Sequence, residues 1–286
     1  MQKRTEQLVE DLRRYFSQRV DVAFAFLFGS LTKGTERDTS DLDVGVYFYP
    51  DGDVWELEDE VFYPEENRIW GDIDTLSGRE TDLLVLNRAP CRIVYTVLTE
   101  GIPLSIRSYS LYMTILLQAG RQVEEYLEFT DSYLAIKNRS SSLSSLDRER
   151  VRRIIDFISS ELGDIHQFSS LTYAEYTKNS SLRRNLERWV ENLVNGSIDI
   201  AKILIASEKQ PIPQTYRETL TRIKTFKVFL PEVVDKVAEN VRLRNILAHE
   251  YLDIRFRYLT EFLCSAESTY KRYIEAARQY VETGTP

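Results

Sequence analysis

The chain has 286 residues, 43% of them hydrophobic, and a formal net charge of −8. This length fits two domains of ordinary size, each with a core that needs no crosslinks. The two cysteines, Cys91 and Cys264, are too few and too far apart for a disulfide framework or a zinc site. Because the charged start is unlike a secretory signal and no apolar run could span a bilayer, we expect a cytoplasmic protein without a membrane partner.

Charge is distributed unevenly along the chain. Residues 1–130 hold 13 lysine and arginine residues against 24 aspartate and glutamate residues, whereas the remainder holds 24 against 21. An acidic first part suits a divalent-cation site, and a weakly basic second part permits contact with a polyanion. Both distributions also fit ordinary solvated surfaces, so charge alone does not decide between these interpretations.

The first hundred residues alternate between strand patterns and helical patterns. Short β-branched and aromatic runs end at Gly29-Ser30 and at Pro50-Asp51-Gly52, and a later helical pattern ends at Gly101. Interleaved strands and helices predict an α/β domain, with residues 51–79 forming a helix and loops. The predicted strands cover residues 22–28, 42–49, 82–86 and 102–106, and the other predicted helices cover residues 4–19 and 89–100.

Strand patterns stop after about residue 108, and long amphipathic stretches follow. A serine-rich segment, residues 139–146, is the best linker, and Ser144 with Asp147 resembles a helix start. The second half is therefore predicted to be an all-α bundle. The predicted helices cover residues 109–137, 147–168, 180–208, 231–251 and 256–282.

The stretch GSLTKGTERDTSDLDVGV places Gly29-Ser30 at the end of one predicted strand and Asp41 and Asp43 at the start of the next. Alternate residues of a strand point to the same face, so these two carboxylates lie side by side and raise each other's pKa. Mg²⁺ relieves that repulsion and shares its oxygen ligands with phosphate. Asp82 opens the next strand and supplies a third carboxylate if the two strands are neighbours. Such a cluster suits two-metal nucleotidyl transfer.

Each of these signals alone is common by chance, but together they favour a functional site over a purely structural role for these residues. The stretch, with DLLVLNRAP and the helix after it, resembles the minimal nucleotidyltransferases of the DNA polymerase β superfamily over residues 5–107. The resemblance implies that Gly29 and Ser30 bind the triphosphate of ATP. It also implies that Asp41, Asp43 and Asp82 are catalytic ligands of Mg²⁺, with two ions expected.

A second motif, RNILAHEY, lies near the C-terminus and contains one of the two histidines. On one helix Arg244 and His249 stand about 140° apart and about 7.5 Å along the axis, whereas Asn245 and His249 share a face. A second copy of this helix across a two-fold axis would complete a shared cleft. Arginine can clamp a phosphate and histidine can move a proton, so this pair could cleave RNA through its 2′-hydroxyl without a metal. Taken alone, however, the motif fits ordinary helix packing better.

The segment RLRNILAHEY, together with LRRNLERWVENLVNGSIDIAKILIA and residues 213–218, resembles the HEPN domains over residues 110–282. These are helical bundles, usually dimeric, and many are ribonuclease toxins. The resemblance implies that Arg244 and His249 are catalytic, that Asn245 supports them, and that RNA, with tRNA expected, is the substrate. It also implies a homodimer formed through this domain.

HEPN proteins and minimal nucleotidyltransferases typically occur as toxin–antitoxin partners, in which AMP from ATP is attached to the tyrosine of the HEPN motif. That resemblance makes Tyr251 the expected AMP acceptor. We therefore expect a two-domain α+β protein. A nucleotidyltransferase domain with a small mixed sheet covers residues 1–108, a connecting helix and linker cover residues 109–146, and a HEPN bundle covers residues 147–286.

Two other interpretations remain open at this point. Some antibiotic-modifying nucleotidyltransferases also pair this catalytic fold with a helical bundle, and RNILAHEY would then be bundle packing. Alternatively, the HEPN part binds nucleotide or protein and the transferase part is degenerate, although no carboxylate of the motif is missing. Transfer of label from ATP to an aminoglycoside panel tests the antibiotic-modifying interpretation. The effect of His249→Ala on toxicity tests the binding interpretation.

Overall fold

The computed structural model describes residues 2–31, 41–52, 54–249 and 252–283. The chain divides into two compact units between residues 127 and 128. One helix, Tyr109–Arg139, runs through that division. In the part of the chain that is described, no helix combines the length and apolar character needed to cross a membrane.

The first unit is built on a four-stranded mixed sheet in the order β3-β2-β1-β4. Strand β1 is antiparallel to both β2 and β4, whereas β2 is parallel to β3. The predicted mixed α/β domain is thus confirmed. Its elements are α1 (Gln2–Gln18), β1 (Val22–Phe28), β2 (Leu42–Phe48), α2 (Glu66–Ser77), β3 (Thr81–Val85), α3 (Cys91–Glu100), β4 (Ile102–Ile106) and the start of α4 (Tyr109–Arg139).

Helices cover both faces of this sheet, so β1 is buried along nearly its whole length. Phe16 of α1 and Ile69 of α2 belong to the apolar cluster on one face. Val94 of α3 and Ile115 of α4 belong to the cluster on the other face. A central strand covered on both sides reads as a continuous apolar run, which explains the VAFAFLF sequence of β1.

The second unit is helical, and no strand occurs among its described residues. Helix α7 lies at its centre and packs against α5, α6, α8, α10 and α11. A β-carbon on Gly196 of α7 would stand 2.9 Å from Ile158 Cδ1 of α5, so glycine permits this close approach. The all-α prediction is confirmed. The α-helices are α5 (Ser145–Gly163), α6 (Tyr173–Lys178), α7 (Ser180–Ser207), α8 (Tyr216–Thr221), α9 (Pro231–Glu239), α10 (Leu243–His249) and α11 (Leu252–Thr283), with 3₁₀ turns at Ile165–Gln167, Arg222–Thr225 and Asn240–Arg242.

One helix start is found where the sequence predicts it, whereas two predicted helices are shorter in the structure. The Ser144 side chain accepts a hydrogen bond from the Asp147 N–H at the start of α5, as its spacing predicts. The single helix predicted over residues 231–251 is wrong, because the 3₁₀ turn Asn240–Arg242 separates α9 from α10. The helix predicted over residues 147–168 likewise ends at Gly163. Apolar periodicity does not distinguish a short 3₁₀ turn from continuing α-helix.

Candidate active sites

Strand register brings the residues of the first motif to one edge of the sheet. The Cα of Asp43 is paired with Phe28 at the end of β1 and with Asp82 at the start of β3. Neighbouring strands lie about 4.8 Å apart, so Asp43 and Asp82 are direct neighbours. Asp41 immediately precedes β2, which begins at Leu42 as predicted. This edge of the sheet therefore carries three carboxylates, those of Asp41, Asp43 and Asp82.

Gly29 makes the turn after β1 possible for two reasons. Its φ of +80° lies in the left-handed region, which favours glycine. A β-carbon at this position would also stand 1.9 Å from Oδ2 of Asp43. The backbone N–H of the next residue, Ser30, donates a hydrogen bond to the Asp43 carboxylate. The Gly-Ser turn thus fits closely against the central carboxylate of the edge.

The electrostatics of this edge centre on Asp43. Partial burial and the charges of Asp82 and Asp41 raise the pKa of the Asp43 carboxyl, and the N–H of Ser30 opposes them. Asp41 and Asp82 themselves are exposed. A group of this kind gains from a cation that relieves the repulsion among its neighbours.

The fit of this edge to Mg²⁺ rests on ligand chemistry and register. Hard carboxylate oxygens are the ligands that Mg²⁺ prefers, and three of them lie on adjoining backbone segments. Within the described residues, no three or more histidine, cysteine, aspartate or glutamate side chains are already gathered into a metal-binding group. The assignment of Asp41, Asp43 and Asp82 as metal ligands therefore stays a prediction.

The second motif lies on α10 (Leu243–His249), which ends at the motif histidine. Leu243, Ile246 and Leu247 are buried, whereas Arg244 and Asn245 are half-buried on other sides of the helix. Arg244, Asn245 and His249 thus share one short helix, as the sequence predicts. The His249 side chain and the residues Glu250 and Tyr251 lie outside the described part, so the predicted roles of His249 and Tyr251 stay predictions.

One neighbour of the motif was not anticipated from the sequence. The guanidinium carbon of Arg244 lies 4.4 Å from the centre of the Tyr216 ring, at the start of α8. Tyr216 belongs to the segment 213–218 that accompanies the HEPN resemblance, which was the only sequence signal for it. Periodicity gives no warning of this contact, because 28 positions separate the two residues along the chain.

Comparison with protein families matches each half of the chain to a different family. Residues 10–110 match the model described as polymerase beta, nucleotidyltransferase. Residues 158–277 match the model described as ribonuclease HepT-like. The chain fuses a nucleotidyltransferase to a HepT-like domain. Gly29, Ser30 and the three aspartates fall within the first match, and the RNILAHEY motif falls within the second.

Two curated relatives of this nucleotidyltransferase–HepT fusion are nucleases. The tRNA nuclease HepT of Aphanizomenon flos-aquae (strain 2012/KM1/D3) is 22% identical over 129 residues, which cover 45% of this chain and 88% of that protein. The mRNA nuclease HepT of Shewanella oneidensis (strain ATCC 700550 / JCM 31522 / CIP 106686 / LMG 19005 / NCIMB 14063 / MR-1) is 24% identical over 128 residues, which cover 45% and 90%. The family descriptions and both relatives name enzymes, which supports enzymatic activity in the fusion.

A crystal structure described as a toxin–antitoxin with AMP-PNP also resembles part of the fusion. It is 18% identical and covers 45% of this chain and 97% of its own, with a TM-score of 0.40. A likeness of this size has no bearing on function.

Proposed function

We propose that the fusion is a self-contained toxin–antitoxin protein. Its nucleotidyltransferase domain transfers AMP from ATP to Tyr251, and this modification silences a metal-independent ribonuclease in its HepT-like domain. The observation that carries the proposal is the occurrence of both family matches, residues 10–110 and 158–277, in one chain. The matches also support the proposed domain bounds of 1–108 and 147–286, joined by residues 109–146.

In the transfer step the phenolic oxygen of Tyr251 forms a bond to the α-phosphorus of ATP. The bond from that phosphorus to the bridging oxygen of the β-phosphate breaks, pyrophosphate leaves, and the phenol gives up its proton. Gly29 and Ser30 are proposed to hold the outgoing phosphates. The support for this role is the positive φ of Gly29 and its close approach to Asp43.

Asp41, Asp43 and Asp82 are proposed to hold Mg²⁺, with two ions expected. When bound, the cations neutralise the charge that develops on the attacking and leaving oxygens. The Cα pairing of Asp43 with Asp82 supports this proposal, because it brings carboxylates from separate strands together. The three carboxylates themselves orient the ions and keep this edge of the sheet acidic.

In the ribonuclease step an RNA 2′-oxygen bonds to the adjacent phosphorus and the 5′-oxygen leaves, giving a 2′,3′-cyclic phosphate and a 5′-hydroxyl. His249 is proposed to take up the proton of the 2′-hydroxyl, and the departing 5′-oxygen takes a proton from water. Arg244 is proposed to clamp the phosphate and Asn245 to support them. We propose tRNA as the substrate, although the two curated relatives are named for different RNAs. A homodimer through the HepT-like domain would pair two such helices.

AMP on Tyr251 is proposed to block this second reaction directly. The acceptor stands two residues after His249 in the sequence. An added nucleotide brings bulk and negative charge, so it excludes an RNA backbone both sterically and by repulsion. The same chain would thereby carry its own inhibitor in the cytoplasm.

Intact-mass spectrometry tests the transferase half of the proposal. The protein is incubated with ATP and Mg²⁺, and its mass is expected to rise by at least one AMP unit, localised to Tyr251 by peptide mapping. Asp41→Ala/Asp43→Ala and Tyr251→Phe are each expected to abolish the increase. Asp51→Asn is the matched control, since Asp51 follows the opposite end of β2 and is exposed.

Two outcomes would contradict this half of the proposal. The first is an unchanged mass with every nucleotide and divalent metal, and the second is an increase that survives loss of Asp41 and Asp43. Transfer of label from ATP to an aminoglycoside, with none to the protein, would favour a small-molecule nucleotidyltransferase. The match of residues 158–277 to HepT-like ribonucleases supports the self-modifying protein over that alternative.

A further inference from the structure

Arg244 of the RNILAHEY motif rests on an aromatic ring. Its guanidinium carbon lies 4.4 Å from the ring centre of Tyr216. Among cation–ring contacts of the described residues this distance is the shortest, since the others range from 4.9 to 6.0 Å. Arginine on a ring face at this distance is an attractive cation–π arrangement.

The Tyr216 ring is itself fixed in place. It forms a T-shaped pair with Phe129 of α4 at 5.6 Å and 81°, and Phe129 stacks on Tyr133 at 6.0 Å and 29°. Tyr133 is completely buried, and its hydroxyl donates to the carbonyl of Gln210. The residue before Tyr216, Thr215, caps α8, because its side chain accepts a hydrogen bond from the Glu218 N–H at 3.0 Å. Arg244 therefore contacts the first of three packed aromatic rings, Tyr216, Phe129 and Tyr133, the last of which is buried in the core of the second unit.

This support suits an arginine that must clamp a phosphate. Guanidinium groups can stack on aromatic faces, and a stacked guanidinium directs its in-plane N–H donors away from the ring, as recognition of phosphate oxygens requires. The ring also restricts a long side chain that has many rotamers, so its donors are oriented before RNA binds.

We infer that Tyr216 is a positioning residue for Arg244, which it orients toward the scissile phosphate of RNA. This inference rests on the proposed ribonuclease function. Since the ring face and not the hydroxyl makes the contact, phenylalanine should replace tyrosine without loss. An aliphatic residue of similar size should leave Arg244 present but poorly oriented.

The test is steady-state cleavage of a fluorescent single-stranded RNA and of total tRNA by the full chain, purified and shown by mass to carry no AMP. Tyr216→Leu is expected to lower kcat about tenfold with KM changed less than about twofold, because the clamp acts in the transition state. Tyr216→Phe is expected to keep kcat within about twofold of the wild type.

The matched control is Tyr258→Leu. Tyr258 also carries arginines on its ring, at 4.9 Å for Arg242 and 5.1 Å for Arg257, but lies outside the motif. Its replacement is expected to leave kcat unchanged. A kcat of Tyr216→Leu equal to the wild type would overturn the inference, as would an equal loss in Tyr216→Phe or in Tyr258→Leu.

A second measurement separates this inference from the proposed function and from misfolding. Thermal unfolding identifies any variant that fails to fold. NMR relaxation of the Arg244 Nε–Hε group, whose signal is assigned with Arg244→Lys, is expected to show greater mobility in Tyr216→Leu than in the wild type. In Tyr216→Phe the mobility of this group is expected to equal that of the wild type. If wild type and Arg244→Ala both leave RNA intact, the ribonuclease proposal fails. Unchanged Arg244 mobility in Tyr216→Leu would then refute the positioning role separately.

Discussion

Gly29→Ala is the most direct perturbation of the proposed transferase site. The substitution adds one methyl group to a residue whose φ is +80°. An alanine held in the left-handed region costs about 1–2 kcal/mol. The new β-carbon would stand 1.9 Å from Oδ2 of Asp43, whereas real β-carbons essentially never come closer than 3.0 Å to such an atom. The Asp43 carboxylate must therefore move by about 1 Å or the turn must open.

The expected functional loss is much larger than the loss of stability. A misplacement of about 1 Å in a catalytic group can lower a rate about 100-fold. We expect Gly29→Ala to transfer AMP about 100-fold more slowly per folded molecule, and to lose about 1–3 kcal/mol of unfolding free energy. The rate is measured as AMP mass added with time, and the folded fraction by circular dichroism at the assay temperature.

Two other glycines of the same unit supply matched controls. Gly78 has a φ of +62° but nothing within 4 Å of an added β-carbon, so Gly78→Ala carries the backbone cost without the clash. Gly71 lies inside α2 in open space, and alanine there should stabilise the helix by about 0.5–1 kcal/mol. Both variants should transfer AMP at the wild-type rate. Wild-type transfer by Gly29→Ala, or an equal loss in Gly78→Ala, would refute the reasoning.

Two further predictions concern polar groups that hold the first unit together. Asn87 is fully buried and bonds to Phe48 N–H and C=O, so Asn87→Ala should cost about 2–3 kcal/mol in a denaturant titration; a loss below about 0.5 kcal/mol would contradict that. Burial raises the pKa of the Glu66 carboxyl, but the two-pronged bond from Arg88, the charge of Arg88 and the hydrogen bond from Tyr63 N–H together outweigh it and leave the pKa below its ordinary value. A lowered folded-state pKa gives stability that is present above the unfolded-state pKa and disappears as pH falls through the folded-state pKa. Urea titrations should therefore show wild type losing its advantage over Glu66→Gln under acid, and an advantage that grows under acid would disprove this.

Elements with strong local signals were predicted closely. Strands β1 (Val22–Phe28) and β4 (Ile102–Ile106) have the predicted bounds, because each is a short apolar run closed by glycine, arginine or serine. The start of α5 was predicted from Ser144 and Asp147, and the Ser144 hydroxyl accepts the Asp147 N–H there. Signals of this kind act over a few positions, so no knowledge of the fold is needed to use them.

The short helices α6 and α8 were not predicted, although Thr172 with Glu175 and Thr215 with Glu218 cap their first turns. Helices α6, α8 and α10 pack onto α7, whereas α9, on the other side of the break before α10, packs against α8 and α11. A helix of six residues has little stability of its own, and tertiary contacts decide whether it forms. The periodic pattern of residues 231–251 continues through the 3₁₀ turn, since apolar residues still face the core on both sides of it.

The sequence by itself determined which residues carry the proposed chemistry and that they fall into an α/β half and a helical half. Those conclusions rest on motifs and periodicities within short windows. Only the tertiary structure decided that Asp43 pairs with Asp82, 39 positions away, and that Arg244 rests on Tyr216. Strand order, register and helix packing join residues that are distant in the chain, and no local pattern encodes which distant partner a side chain will meet.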